Sequence, residues 1–112
     1  MTDIQTLIDE LVKFRDERHW DQFHNTKDLA LALSIEAAEL NELFLWKTTG
    51  ESENVDREKL KEELADVFAY ALLLAGKHDL DVKDIVLEKI KKNGVKYPVE
   101  KSKGRSTKYN EL

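Results

Sequence analysis

The chain has 112 residues, which is enough for one domain with a single core. Its net charge of −5 argues against a nucleic acid polymer as partner. It contains no cysteine, which excludes a disulfide framework, a thiolate zinc site and a cysteine nucleophile. Charged residues make up 37% of the chain, and only four glycines and one proline interrupt it, so the composition favours long helices with solvated outer faces.

The first two predicted helices flank a loop rich in aromatic and polar residues. A helix from about Asp3 to Arg18 is indicated by apolar residues at helical spacing, namely Ile4, Leu7, Ile8, Leu11 and Phe14. The loop HWDQFHNTK follows, and either Asn25 or Thr26 is suited to cap the next helix. That second helix is predicted from about Lys27 to Lys47.

Two further helices are predicted after the polar loop TTGESENVD. The third runs from about Asp56 to Ala75, with Gly76 as its C-terminal stop. The fourth, DVKDIVLEKIKKN, is capped by Asp81 and ended by Gly94, and residues 95–112 are expected to form an irregular basic tail. Because no segment alternates like a strand, we expect residues 1–112 to form a single all-α domain resembling a four-helix bundle.

The second helix carries acidic residues within its apolar stripe. In the segment LALSIEAAELNELFLW, at about 100° per residue, Glu39 falls within roughly 60° of Glu36, together with the apolar side chains that should face the core. An ionised carboxylate in an apolar setting is costly unless it is paired or bound to a metal. These two glutamates are therefore candidate metal ligands.

The third helix repeats this arrangement with Glu63 and Asp66, which share a sector with apolar residues. Carboxylates three residues apart are common in a chain with 23 acidic residues, so spacing alone is weak evidence. Two such pairs on the predicted inner faces of two helices are a stronger signal, and oxygen-only ligands suit Mg²⁺ or Mn²⁺. The alternative is that these carboxylates pair with basic residues of the first helix, such as Lys13, Arg15 and Arg18.

Basic and aromatic side chains suggest what could lie beside such a metal. On the fourth helix Lys89 and Asn93 are placed to contact phosphate, although a lysine stem often simply covers apolar surface. Trp20, Trp46 and Tyr70 could stack on a nucleobase, or pack at the ends of the bundle. His24 could hydrogen-bond a base or phosphate, or cap a turn.

Several other site types find no support in the sequence. None of the three histidines follows a glutamate at the Glu-x-x-His spacing of di-iron bundles, and no Walker-type phosphate loop is present. No apolar run is long enough to span a bilayer, and MTDIQTLIDE is not a signal peptide. We therefore expect a soluble, cytoplasmic protein.

The acidic pattern resembles that of a known family. E36-A-A-E39, 23 intervening residues and E63-L-A-D66 are similar to the motif of the MazG-like, all-α nucleoside triphosphate pyrophosphohydrolases. The segments RDERHWDQFHNTKDLALALSIEAAELNELFLW and KIKKNGVKYPVEKSKGRSTKY resemble the N- and C-terminal blocks of the dCTP pyrophosphatase branch of that family. The resemblance covers nearly the whole chain, and only the loop TTGESENVD looks specific to this sequence.

This resemblance implies cleavage of a nucleoside triphosphate between its α and β phosphates, giving a monophosphate and pyrophosphate. It implies Mg²⁺, with Mn²⁺ as an alternative, and a homo-oligomer, either a dimer or a tetramer. The residues it assigns as catalytic metal ligands are Glu36, Glu39, Glu63 and Asp66. The residues it assigns to substrate are Trp20, His24, Trp46 and Tyr70 near the base and sugar, and Lys89 and Asn93 near the phosphates. The alternative hypothesis is a non-enzymatic helical module that binds a nucleotide or a partner.

Overall fold

The structure, a computed structural model, describes residues 2–112 and is helical without strands over that range, as predicted. The α-helices are α1 (Asp3–Glu17), α2 (Thr26–Glu42), α3 (Thr49–Ser52), α4 (Arg57–Lys77), α5 (Val82–Lys96) and α6 (Val99–Ser102). Two 3-10 turns, Asp21–Phe23 and Tyr109–Glu111, complete the secondary structure. The chain divides into two compact units, Met1–Asp79 and Leu80–Leu112. Within residues 2–112, none of the helices has the length and apolar character needed to cross a membrane.

Side-chain caps begin the long helices where the sequence predicts them. Asn25 accepts a hydrogen bond from the backbone N–H of Asp28 at 2.9 Å, so Asn25 is the cap of α2 and Thr26 is its first residue. Asp81 accepts from the N–H of Asp84 at 2.9 Å at the start of α5. Each cap satisfies an N–H group that has no partner inside the helix.

The predicted end of the second helix was wrong, because α2 stops at Glu42 and not at Lys47. The chain continues in tight turns, in which the N–H of Phe44 donates to Asn41 at 3.0 Å and that of Leu45 to Glu42 at 3.3 Å. Trp46 then adopts a φ of +65°, in the left-handed region that breaks a helical run. Neither glycine nor proline marks this end in the sequence.

The loop TTGESENVD contains the short helix α3, so the prediction of a plain polar loop was wrong for residues 49–52. Thr48 accepts from the N–H of Glu51 at 3.1 Å, and the Glu51 carboxylate accepts from the N–H of Thr48 at 3.4 Å. This reciprocal capping box has a Thr-x-x-Glu signature that is legible in the sequence.

In the first unit, α1 and α2 both pack on α4. The most buried apolar side chains come from all three helices, namely Ile8, Leu29, Leu72, Leu73 and Ala75. Thr26 Oγ1 and His78 Nε2 lie 2.8 Å apart, so α2 begins where α4 ends and the two helices are antiparallel. This direction places the second half of α2 opposite the first half of α4, where the acidic pairs lie.

Gly76 and Gly94 were predicted to end helices, and both predictions were wrong, since α4 continues to Lys77 and α5 to Lys96. A Cβ atom at Gly76 would lie 2.9 Å from Ile8 Cγ2, whereas one at Gly94 would meet nothing within 4 Å. Gly76 therefore permits the close approach of α1 to α4 rather than a change of chain direction.

We expect Gly76→Ala to lower the free energy of unfolding by about 1–2 kcal/mol, because overpacking against Ile8 outweighs the better helix propensity of alanine. Gly94→Ala is the matched control and should raise the free energy of unfolding by about 0.5–1 kcal/mol. Chemical denaturation followed by circular dichroism measures both. An equal gain in stability for the two variants would contradict a packing role for Gly76.

The second unit is more ordered at its C-terminal end than the sequence predicts. The tail expected to be irregular contains α6 and the turn Tyr109–Glu111. The rings of Tyr97 and Tyr109 meet edge to face at 6.0 Å, and Lys96 Nζ lies 4.8 Å from the Tyr109 ring centroid. These contacts fold the tail back onto the end of α5, which local periodicity could not predict because they are tertiary.

Candidate active site

Three carboxylates converge where α2 crosses the first half of α4. One oxygen each of Glu36, Glu39 and Glu63 can be chosen so that all three lie within 4.8 Å of one another. Glu36 and Glu63 are half-buried, and Glu39 is exposed. The antiparallel packing of α2 on α4 thus brings together residues that are well separated in the sequence.

The buried oxygens of this cluster have no protein partner. Glu36 Oε2 and Glu63 Oε2 are inaccessible to solvent and accept no hydrogen bond. Over residues 2–112 the ion pairs join Arg15 to Asp16 and Asp21, Lys27 to Asp28, and Lys61 to Glu58. None of them involves the cluster, so the salt-bridge alternative does not account for these acids. Unpartnered, oxygen-only donors fit a hard divalent cation such as Mg²⁺ or Mn²⁺.

Crowding of negative charge perturbs the titration of the cluster. Burial raises the pKa of Glu36 to about 7, with further contributions from the close approach of the Glu39 carboxyl group and from the charges of Glu39, Asp66 and Glu63. Burial also raises the pKa of Glu63, followed by the charges of Glu39 and Asp66. Without a cation, the ionised carboxylates of the cluster repel one another, so Glu36 and Glu63 resist ionisation. A bound divalent ion would relieve this repulsion.

This perturbation predicts a pH dependence of stability in the absence of divalent ions. The folded pKa of Glu36, about 7, exceeds its ordinary value of 4.5, so its stabilising contribution is complete below 4.5 and is lost as the pH rises through about 7. The free energy of unfolding of the wild type, minus that of Glu36→Gln, should therefore fall across this range in EDTA. A difference in the free energy of unfolding that is independent of pH would show that folding does not raise the pKa of Glu36.

Asp66 stands apart from the three-carboxylate cluster and lines an adjoining cavity of about 250 Å³. The cavity lies among α1, the loop after it and α4. Its lining residues are Leu11, Phe14, Arg15, Trp20, His24, Asp66, Ala69, Tyr70 and Leu73. The charge of Asp66 raises the pKa of both Glu36 and Glu63, so Asp66 is close enough to the cluster to act on it electrostatically. An acidic centre and a largely aromatic cavity are thus neighbours.

His24 and Tyr70 form one wall of the cavity, with ring centroids 6.3 Å apart in an edge-to-face arrangement. Burial lowers the pKa of His24, and the Arg15 charge lowers it further. The His24 Nδ1 atom is buried without a hydrogen-bond partner. Burial raises the pKa of Tyr70, as does the charge of Glu36, which places this phenol between the cavity and the acidic cluster.

The remaining predicted site residues are distributed differently. Trp20 lines the cavity and packs edge to face on Phe14 at 5.8 Å. Trp46 is 92% exposed and does not line the cavity. Lys89 and Asn93 are exposed residues of α5, in the second unit. The roles suggested for these last three residues remain predictions.

Three residues of α1 line the cavity although no sequence motif assigned them to a substrate site. Leu11, Phe14 and Arg15 follow the spacing i, i+3 and i+4, which places them on one face of α1. That spacing was legible in the sequence, but Leu11 and Phe14 were expected only to belong to the apolar face of α1, and Arg15 was considered only as a salt-bridge partner of the carboxylates. Their position beside His24 and Tyr70 depends on the packing of α1 on α4.

Comparison with known proteins gives consistent matches. The sequence model of the MazG-like family matches residues 31–112. The chain is 42% identical over 105 residues to dCTP pyrophosphatase 1 of Homo sapiens and 40% identical to that of Rattus norvegicus, in each case over 89% of this chain and 62% of the relative. It therefore spans less than two thirds of the length of these relatives. The crystal structure of a pyrophosphatase from Archaeoglobus fulgidus superposes with a TM-score of 0.82 at 37% identity, covering 88% of this chain and 94% of that one.

Proposed function

Because the chain belongs to the MazG-like family, we propose that it is a nucleoside triphosphate pyrophosphohydrolase that depends on a divalent metal. The reaction is cleavage of the α–β phosphate bond, giving a nucleoside monophosphate and pyrophosphate. The observation that carries this proposal is the convergence of Glu36, Glu39 and Glu63 within 4.8 Å, with unpartnered buried oxygens, beside an aromatic cavity.

Glu36, Glu39, Glu63 and Asp66 are the residues that would hold Mg²⁺, or Mn²⁺ in its place. When bound, such an ion neutralises phosphate charge and acidifies water. We assign proton acceptance from the attacking water to Glu36 or Glu39. The raised pKa of Glu36 suits it to that role, and Glu39 lies in the same carboxylate cluster. No side chain is required to form a covalent intermediate, which agrees with the absence of cysteine from the chain.

The cavity beside the carboxylates is the proposed site of the nucleobase. Trp20 and Tyr70 offer aromatic surface for a planar ring, and His24 offers a buried ring nitrogen without a partner. From the resemblance of the sequence to the family, we also propose Trp46 as a contact to the base, and Lys89 and Asn93 of α5 as contacts to the phosphates. The similarity to dCTP pyrophosphatases suggests dCTP, or a related or modified deoxynucleoside triphosphate, as the substrate. The biological role would be to remove such nucleotides from the cytoplasmic pool.

We further propose that the protein is a homo-oligomer, either a dimer or a tetramer. Large apolar side chains of α2 and α4 are exposed in the single chain, namely Leu31, Ile35, Leu64 and Phe68. Leu31 and Ile35 are four residues apart on α2, as are Leu64 and Phe68 on α4, so each pair lies on one face of its helix. Clustered exposed apolar side chains are typical of protein–protein interfaces. The molar mass from light scattering tests this proposal, and a fully active monomer would contradict it.

The direct test of the function is a screen of ordinary and modified nucleoside triphosphates with Mg²⁺, in which monophosphate and pyrophosphate are measured separately. The proposal predicts equal amounts of the two products. Release of orthophosphate with a nucleoside diphosphate would contradict cleavage at the α–β bond. A rise in melting temperature with nucleotide, without any product, would instead indicate a helical module that only binds nucleotides.

A further inference from the structure

The cavity contains one charged group to which the proposed mechanism gives no task. Besides Tyr70, which belongs to the proposed base contacts, the cavity has three ionisable side chains. Of these, Asp66 belongs to the proposed metal site and His24 to the proposed base contacts. The third is Arg15, the last cation of α1 before the aromatic loop. Its side chain is only 20% exposed, which is unusual for an arginine and indicates that its position is fixed.

Two aspartates hold the Arg15 guanidinium in place. Its Nε donates to Asp16 Oδ1 at 2.9 Å, its Nη2 lies 2.8 Å from the same oxygen, and its Nη1 lies 3.3 Å from Asp21 Oδ1. A guanidinium has five N–H donors, two of them on each terminal nitrogen. Each terminal nitrogen therefore keeps a second N–H that these aspartates do not use.

The backbone of the same residue positions the aromatic wall. The N–H of Trp20 donates to the Arg15 carbonyl at 3.1 Å, and His19 reverses the chain with a φ of +55°. The loop thus returns to α1 and places Trp20 in the same cavity as Arg15. Arg15 and His24 line the same cavity, and the pKa of His24 is lowered first by burial and then by the Arg15 charge.

A planar group with two parallel N–H donors matches a ligand edge with two adjacent acceptors. Cytosine has such an edge at O2 and N3, and guanine has one at O6 and N7. Thymine and uracil do not, since the N3–H donor separates their two carbonyl oxygens. In adenine the amino group lies beside N1 and N7, and N3 has no second acceptor on the base next to it.

We propose that Arg15 determines base specificity, by donating from its two free N–H groups to adjacent acceptor atoms of a cytosine or guanine held in the cavity. This inference rests on the proposed function, because it assumes that the cavity takes the nucleobase. It defines the substrate class as triphosphates whose base presents paired acceptors, and it excludes thymine and uracil nucleotides as preferred substrates.

The test is equilibrium binding of dCMP, dGMP and dTMP in the presence of Mg²⁺, measured by calorimetry. The wild type should bind dCMP or dGMP more tightly than dTMP. Comparison of the dCMP and dGMP titrations identifies which of the two bases is preferred. Arg15→Met should weaken binding of the preferred nucleotide by about 10- to 100-fold and leave dTMP nearly unchanged. Arg15→Lys keeps the charge but loses the planar pair of donors, so it should resemble Arg15→Met.

Lys13→Met is the matched control, because it removes a positive charge from an exposed position on the same helix. It should bind all three nucleotides as the wild type does. An equal loss for all three nucleotides in Arg15→Met would assign Arg15 to phosphate binding or to folding, and would overturn the proposal. Wild-type affinity in Arg15→Lys would also overturn it. So would a wild-type preference for dTMP, a result that needs no variant to fold.

Failure of this inference can be distinguished from failure of the proposed function. Pyrophosphate release without Arg15-dependent base selectivity would refute the inference alone. Selective, Arg15-dependent binding of dCMP or dGMP without any turnover would refute the proposed function alone.

Discussion

Replacing Glu63 by glutamine is expected to lower the rate of pyrophosphate release by at least about 1,000-fold while leaving the helical fold intact. Glutamine has nearly the same shape but carries no charge, so the variant removes one anionic ligand from the three that lie within 4.8 Å. Since the Glu63 pKa is raised by burial and by neighbouring carboxylates, the neutral side chain should also raise the melting temperature of the protein in EDTA.

The matched control is Glu62→Gln, an exposed neighbour on the same helix that does not belong to the cluster. It should keep full activity and show little change in melting temperature. The opposite signs expected for Glu63→Gln, with less activity and greater metal-free stability, separate a functional acid from a structural one. If both variants retained activity, the cluster would not be the reaction centre. If Glu63→Gln unfolded the protein, the expected gain in metal-free stability would be wrong.

Removing divalent ions is expected to abolish turnover, and adding Mg²⁺ or Mn²⁺ back should restore it. Free Mg²⁺ at about 100-fold above its dissociation constant should stabilise the fold by about 2.7 kcal/mol. Binding requires ionised carboxylates, so this stabilisation should be larger above the Glu36 pKa of about 7 than below it. The melting temperature measured with and without Mg²⁺ on both sides of that pH provides the check.

The control for this experiment is Glu63→Gln, in which Mg²⁺ should raise the melting temperature less than in the wild type. Full turnover in EDTA would contradict a metal-dependent reaction. An equal effect of Mg²⁺ on the two proteins would indicate that the ion binds elsewhere.

The features that sequence predicted well are those set by local chemistry. The periodic apolar residues of α1 and the capping residues Asn25 and Asp81 depend only on neighbours along the chain. The sequence also predicted that Glu36 and Glu63 lie close together. Helical geometry places each glutamate on an apolar stripe, and two such stripes are expected to pack together.

The features that sequence did not predict are set by contacts between distant residues. Gly76 lies inside α4, where a Cβ atom would come too close to the Ile8 side chain of α1. The local sequence does not distinguish a glycine in such a helix contact from a glycine that ends a helix. The end of α2 at Glu42 is followed by tight turns and then by a left-handed Trp46, a conformation that few non-glycine residues adopt. Arg15 lines the cavity because α1 packs on α4 and because the loop after α1 brings Trp20 back beside it. Neither contact can be deduced from neighbours along the chain.

The most direct test of the proposed metal site is to locate Mn²⁺ by its anomalous scattering in crystals of the protein grown with the ion. We predict a strong peak within bonding distance of the carboxylate oxygens of Glu36, Glu39 and Glu63, and its loss in crystals of Glu63→Gln. Mn²⁺ bound only at other surface carboxylates, with the cluster filled by water, would contradict the proposed metal site.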